Sequence, residues 1–276
     1  MSKSYIMTHI NRACLAPATL FLAAGLPARA SRLVDNLKAG KNQTVVFYGT
    51  SLTATGKWCA DLSGWLNTLD PAGKARAVVH KSGLSGRASR SGLDNLQDRV
   101  IKFKPDTVFM EFAINDAYSG PNYPPRHPDY GMTVEKSMAN LARMIGMLNE
   151  ALPGVEIIMQ TMNPVWDSPH GSGVSASSRP ELEVYYEGCR QVAKKHGLLL
   201  IDHYPNWIKL RETDPELFQA YIRDGTHPTP EGSTAITTPQ IKKSLTGSAA
   251  QDAHVPQVST PACLQWRDKK QTTDFH

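Results

Sequence analysis

Four short clusters along the chain carry residue types that could do chemistry together. Gly49-Thr50-Ser51-Leu52 sets a serine hydroxyl directly after the apolar run Thr44 to Tyr48. A serine there sits on a tight turn at a strand end, near a helix N-terminus whose free N–H groups favour negative charge. Asp224-Gly225-Thr226-His227 places a carboxylate three residues before an imidazole on one turn. Such an Asp can fix the ring's tautomer, leaving the other ring nitrogen to accept a serine proton. Pro228 and Pro230 stiffen that turn and set His227 just before a new helix. Ala113-Ile114-Asn115-Asp116 follows another strand-like run, and an Asn amide beyond a strand end is a good oxyanion donor. Gly83-Leu84-Ser85-Gly86 offers a backbone N–H that can approach a substrate oxygen without interference from a Cβ. Taken singly, each cluster fits an ordinary turn or helix cap equally well. Together they hold a nucleophile, a base, an acid and two oxyanion donors, the set that acyl transfer needs.

These clusters need a scaffold that delivers them to one edge. From Ser31 onward, short β-rich runs alternate with longer stretches of helical spacing. Strands are expected at Thr44–Tyr48, Ala75–His80, Thr107–Phe112, Val155–Thr161 and Leu198–Ile201. Helices are expected at Lys57–Leu69, Leu93–Phe103, Thr133–Leu152 and Pro180–His196. Of these, Thr133–Leu152 has a Thr N-cap and is stopped by Pro153-Gly154, while Gly197 marks the C-cap of the last. Strand–helix alternation of this kind argues for an α/β domain, a parallel sheet with helices on both faces. In such sheets the active edge lies at the carboxyl ends of the strands. Two long loops, Tyr118 to Gly131 and Asn163 to Arg179, follow strands on that edge, and loops of this length are usually functional or mobile.

In chain order, strand-Gly-x-Ser, Gly-x-Ser-Gly, strand-x-x-Asn-Asp and Asp-x-x-His resemble the four sequence blocks of the GDSL/SGNH hydrolase superfamily, over roughly residues 40–245. Leu33 to Lys41, Lys104-Pro105-Asp106 and Leu200-Ile201-Asp202 are similar to that family's style as well. The resemblance implies a flavodoxin-like three-layer α/β/α sandwich around a central, mainly parallel five-stranded sheet. It also implies a serine esterase that works without metal or cofactor. Residue by residue, Ser51 matches the nucleophile and, through its own N–H, one oxyanion donor; Gly86 matches a second donor and Asn115 the side-chain donor. Asp224 and His227 match the acid and the base. Two positions depart from the pattern: Thr50 stands where the family has Asp in Gly-Asp-Ser, and Ala113 where it has Gly in Gly-x-Asn-Asp.

The chain has 276 residues, 41% hydrophobic and 20% charged, which suits one globular domain with extra segments at its ends. Residues 1–30 read as a signal peptide: Lys3 and Arg12 precede an apolar stretch from Cys14 to Leu26, and Ala28-Arg29-Ala30 closes it. The hydrolase domain is expected over 31–246 and a polar tail over 247–276, in a periplasmic or secreted protein; an N-terminal amphipathic helix of a cytoplasmic protein is the alternative. Lys3, Arg12 and Arg29 are the charges of residues 1–30, so the remaining chain holds 27 bases and 25 acids and its net charge falls from +5 to +2. That balance, with no basic run interleaved with aromatics, argues against nucleic acid as a partner. No apolar run is long enough to span a bilayer. Cys59 and Cys189 fall in helical patterns as small core residues, and the histidines show no i, i+4 pair or H-E-x-x-H spacing for a metal. The two loops carry Tyr118, Tyr123, Tyr130, Trp166, Asp167 and His170 but little aliphatic surface, which favours a sugar over a long acyl chain. Among the superfamily's activities that points to deacetylating a carbohydrate, with Tyr118, Trp166 and His170 as candidate substrate contacts. A lipase or general short-chain esterase is the alternative, and a non-catalytic carbohydrate-binding domain of the same fold is the rival from another class.

Overall fold

The computed structural model describes residues 31–119 and 125–247; the expectations for residues 1–30, for Tyr123 and for the tail after Gly247 lie outside them. Five strands, β1 Gln43–Gly49, β2 Ala77–Gly83, β3 Thr107–Glu111, β4 Glu156–Gln160 and β5 Leu199–Ile201, form one sheet in the order β2-β1-β3-β4-β5. Every neighbouring pair is parallel. β1 and β3 lie inside the sheet and are covered on both faces, which is why their sequences are near-continuous apolar runs. The edge strand β2 starts two residues later than expected and runs on to Gly83. Its Lys81 is exposed and its Ser82 buried, so the ladder continues where the apolar signal stops.

Helices cover the sheet in two groups. Val134–Ala151, Leu182–Lys195 and Ser89–Asp94 pack together, and Trp58–Leu66 packs with Thr238–Leu245. The helix Val134–Ala151 forms because the Thr133 hydroxyl accepts from Lys136 N–H and Leu141, Met144, Ile145 and Leu148 recur on its buried face. Each such side chain contributes roughly 1.5–3 kcal/mol on burial. Leu93–Phe103, expected as one helix, is instead three short pieces: Ser89–Asp94, Leu96–Arg99 and a 3₁₀ turn at Ile101–Phe103. Asn95 donates its side-chain N–H to Ser91 C=O, and Val100 leaves helical space at φ −133, so the ladder is interrupted twice. Cys59 and Cys189 are buried free thiols in the core, as their helical positions suggested, and burial pushes both thiol pKa values up.

After β5 come helices at Tyr204–Thr213 and Pro215–Tyr221 that the sequence pattern had not marked. They enclose a small second core of Trp207, Phe218 and Ile222, with Trp166 and Tyr221 against it. Among the described residues no helix is long and apolar enough to cross a membrane.

The register decides what the sheet presents. Gly49 pairs with Gly83 on one side and with Glu111 on the other, so three chain segments leave the sheet at the same level. They carry Ser51, Gly86 and Asn115.

Candidate active site

Ser51 is the first residue of the one-turn helix Ser51–Ala54, and Thr50 caps that helix by accepting from Leu52 N–H. The turn is tight because a Cβ on Gly49 would lie 2.4 Å from Thr53 Oγ1 and 2.5 Å from the Glu111 carboxylate. Glu111 ends β3, is 2% exposed and lies under this turn. It accepts from Thr50 N–H at 3.0 Å, from Thr50 Oγ1 at 3.0 and 3.1 Å, and from Thr53 Oγ1 at 3.0 Å. Among the described residues no basic side chain forms an ion pair with it. Thr50, where the family pattern has Asp, therefore joins the Ser51 turn to a carboxylate supplied by the neighbouring strand.

Burial pushes the Glu111 carboxyl up to about 7, against the lowering effect of the Thr50 and Thr53 bonds. A folded-state value above the unfolded one means that the folded chain keeps a proton that the unfolded chain releases between pH 4.5 and 7. Stability therefore falls as pH rises through that window. Glu111→Gln removes the titration, so its melting temperature should gain on the native protein's from pH 4.5 to 7 and stay level above. Thermal melts of both proteins across pH 4–8 check this; an offset that does not change with pH refutes it.

The Asp224–His227 cluster does not follow a strand. Asp224 to His227 form the turn between the helix Pro215–Tyr221 and the short helix Pro230–Gly232. Asp224 Oδ1 accepts from Thr226 N–H at 2.8 Å and His227 N–H at 2.7 Å, and Gly225 takes φ +84, a conformation that favours glycine. His227 Nδ1–H donates to Asp224 Oδ2 at 2.7 Å, which leaves Nε2 to accept from Ser51 Oγ–H at 2.8 Å. Burial raises the Asp224 carboxyl, but the bonds from the His227 ring and from the His227 and Thr226 N–H groups outweigh it and hold the carboxyl down to about 2. Asp224 is thus an anion at neutral pH. All three side chains are half-buried, open enough for substrate and closed enough to hold their geometry.

The loop Asn163–Arg179 is mainly a brace for this turn. Trp166 N–H donates to Gly225 C=O at 3.0 Å, Trp166 Nε1 to Ile222 C=O at 2.7 Å, Ser168 Oγ to Arg223 C=O at 2.5 Å and Asn163 Nδ2 to Thr226 C=O at 2.8 Å. A Cβ on Gly171 would meet Asp224 C=O at 2.0 Å. Trp166, a candidate substrate contact, is half-buried, with its indole N–H donated to Ile222 C=O and its ring packed against the second core. His170 is exposed on the same loop. Tyr118 is half-buried, with the Arg179 guanidinium 5.0 Å from its ring centroid.

Gly86 has φ +69, so the left-handed bend at that position favours glycine. Asn115 is 6% exposed; its Nδ2 donates to Arg87 C=O at 3.0 Å, which ties it to the residue after Gly86. Asp116 strengthens the same tie by accepting from Ser89 N–H and Oγ–H at 2.9 and 2.8 Å. Asp129 is tied to the same region by accepting from Ala88 N–H, Ser91 N–H and Ser91 Oγ–H. The structure thus brings Ser51, His227 and Asp224 into one hydrogen-bonded chain and places Asn115 beside the Gly86 turn.

Residues 47–235 match the sequence model of the GDSL-like Lipase/Acylhydrolase family. A GDSL esterase/lipase of Arabidopsis thaliana is 26% identical over 207 residues, which cover 70% of this chain and 81% of that protein. An uncharacterized lipoprotein of Bacillus subtilis is 23% identical over 216 residues, 70% of this chain and 86% of its own. Among solved structures, an acetylxylan esterase from Geobacillus stearothermophilus superposes with a TM-score of 0.59 at 21% identity, over 74% of this chain and 94% of that one. An α/β hydrolase from the metagenome of Lake Arreo gives 0.59 at 21% identity, over 75% and 97%. The likeness to the two solved structures is one of fold. The family match takes in the Ser51, Gly86, Asn115 and Asp224–His227 segments together, and the chain belongs to the GDSL-like lipase/acylhydrolase family of ester hydrolases.

Proposed function

We propose that this protein cleaves carboxylic esters through an acyl-enzyme on Ser51 and that its substrate is an acetylated saccharide. The observation that carries the reading is the chain Ser51 Oγ–His227 Nε2–Asp224 Oδ2, at 2.8 and 2.7 Å, on the edge where Asn115 and Gly86 also emerge. Ser51 Oγ attacks the ester carbonyl while His227 Nε2 takes its proton. Asp224, held as an anion, stabilises the imidazolium that forms. The oxyanion is received by the N–H groups of Ser51 and Gly86 and by the Asn115 amide. His227 gives its proton to the departing alcohol, then takes one from the water that releases the acyl group.

The saccharide half of the reading is supported by a cleft of about 300 Å³ whose wall begins at Ala117, two residues on from Asn115. Tyr118, Tyr130 and Tyr185 line it with Glu181, and Tyr130 is 52% exposed. Aromatic faces beside a carboxylate suit a sugar ring; a long acyl chain needs a continuous apolar groove, at about 0.8 kcal/mol per buried CH₂. The fold likeness to an acetylxylan esterase points the same way. The test is kcat/KM over acyl chains from acetyl to dodecanoyl, run beside acetylated oligosaccharides. Acetate release from a saccharide, with a maximum at acetyl, is expected. A maximum at octanoyl or longer with no saccharide turned over would replace this substrate with a lipid.

A further inference from the structure

We infer that Arg179 is a positioning residue for the Asn115 amide, an inference that rests on the acyl-transfer reading above. Arg179 ends the loop that braces the Asp224–His227 turn. Its guanidinium reaches three oxygens from two directions: Nε donates to Ile114 C=O at 2.8 Å, Nη1 to Ser175 C=O at 3.1 Å, and Nη2 lies 3.5 Å from Asn115 Oδ1. Its face lies 5.0 Å from the Tyr118 ring centroid. A rigid planar fork suits such a site better than a flexible ammonium.

The consequence for Asn115 follows from its inventory of one carbonyl oxygen and two N–H bonds. The oxygen faces the Arg179 cation, and one N–H is donated to Arg87 C=O at 3.0 Å. Turning the amide over would aim its N–H groups at the guanidinium and its oxygen at the Arg87 carbonyl, two repulsive contacts in a site only 6% exposed. Arg179 therefore fixes which end of the amide is the donor and leaves the second N–H for the oxyanion. Positive charge beside Oδ1 also polarises the amide and sharpens that N–H as a donor. The bond to Ile114 C=O holds the backbone just before Asn115, so Arg179 acts on both the position and the sense of the donor, alongside the Arg87 carbonyl. The other end of the contact runs through Ser175, whose hydroxyl lies 2.8 Å from Thr226 Oγ1 on the acid–base turn.

A positioning role acts through Asn115, and a double-mutant cycle reads that directly. On an acetyl ester, Arg179→Met should lower kcat about tenfold with KM unchanged, because a donor displaced by a fraction of an ångström loses most where charge develops. Arg179→Lys keeps the charge without the fork and should fall between the two. In the Asn115→Ala background, Arg179→Met should cost less than about twofold, since the group it serves is gone. Thermal melts confirm that the compared variants are folded, and if the Met variant is not, the Lys variant carries the same cycle. An equal loss in both backgrounds, or a loss lying wholly in KM, overturns the inference. Should Asn115→Ala itself leave kcat intact, the oxyanion reading falls and takes this inference with it; a loss there beside an additive Arg179 effect removes the inference alone.

Discussion

Ser51→Ala is expected to leave the fold intact and to lower kcat by roughly 10³-fold or more. The hydroxyl reaches the base His227 at 2.8 Å and is not part of the core, so its loss removes the covalent route and little else. What activity remains would come from the oxyanion donors and from binding, which survive when one member of such a triad is deleted. Two measurements check this together: turnover of a simple acetyl ester, and the mass gained on exposure to a fluorophosphonate probe. The native protein should take up one probe on Ser51 and the variant none. Near-normal turnover by the purified variant would remove Ser51 from the mechanism and with it the proposed reaction.

The second large effect is expected at Asn115. Asn115→Ala should lower kcat by about 10²–10³-fold with little change in KM, because a contact to the carbonyl oxygen gains most of its strength as that oxygen becomes an anion. The sheet should not notice, since Asn115 lies beyond the end of β3 and its side chain meets the Arg87 carbonyl and the Arg179 guanidinium. Steady-state kinetics on an acetyl ester separate the two parameters. A loss confined to KM would make Asn115 a ground-state substrate contact.

The parts of this molecule that could be read from the sequence are those whose cause is local. β1 and β3 show as apolar runs because both faces are covered, and the helix Val134–Ala151 shows because its cap and its buried stripe are close in sequence. β2 was misplaced by two to three residues because an edge strand can carry Lys81 and Ser82 within its ladder. The helix expected at Leu93–Phe103 failed at Asn95 and Val100, where backbone angles that no apolar pattern reports end the ladder. Ser51, Asp224 and His227 were legible because their types and spacing specify a chemistry. Glu111 and Arg179 were not, since their meaning lies in partners 61 and 64 residues away. One trace of Glu111 was available: a carboxylate at the end of the otherwise apolar run Thr107 to Phe112 calls for a buried partner. The packing of Trp166 was not legible either, because an aromatic residue on a long loop reads the same whether or not it also packs against a second core.

Ser51 and His227 stand 176 residues apart, and the two ends of the described domain meet where Ser31 N–H donates to Leu245 C=O at 2.9 Å. During synthesis, at about 5–20 residues per second, Ser51 leaves the ribosome well before the turn that will serve it exists. A growing or truncated chain can build β1 and its turn and still hold a serine no more reactive than one in water. On the proposed mechanism, hydrolytic power waits for the long-range contact between Ser51 and His227 to close. The cell is spared a half-made esterase, because for this topology to be active is to be complete.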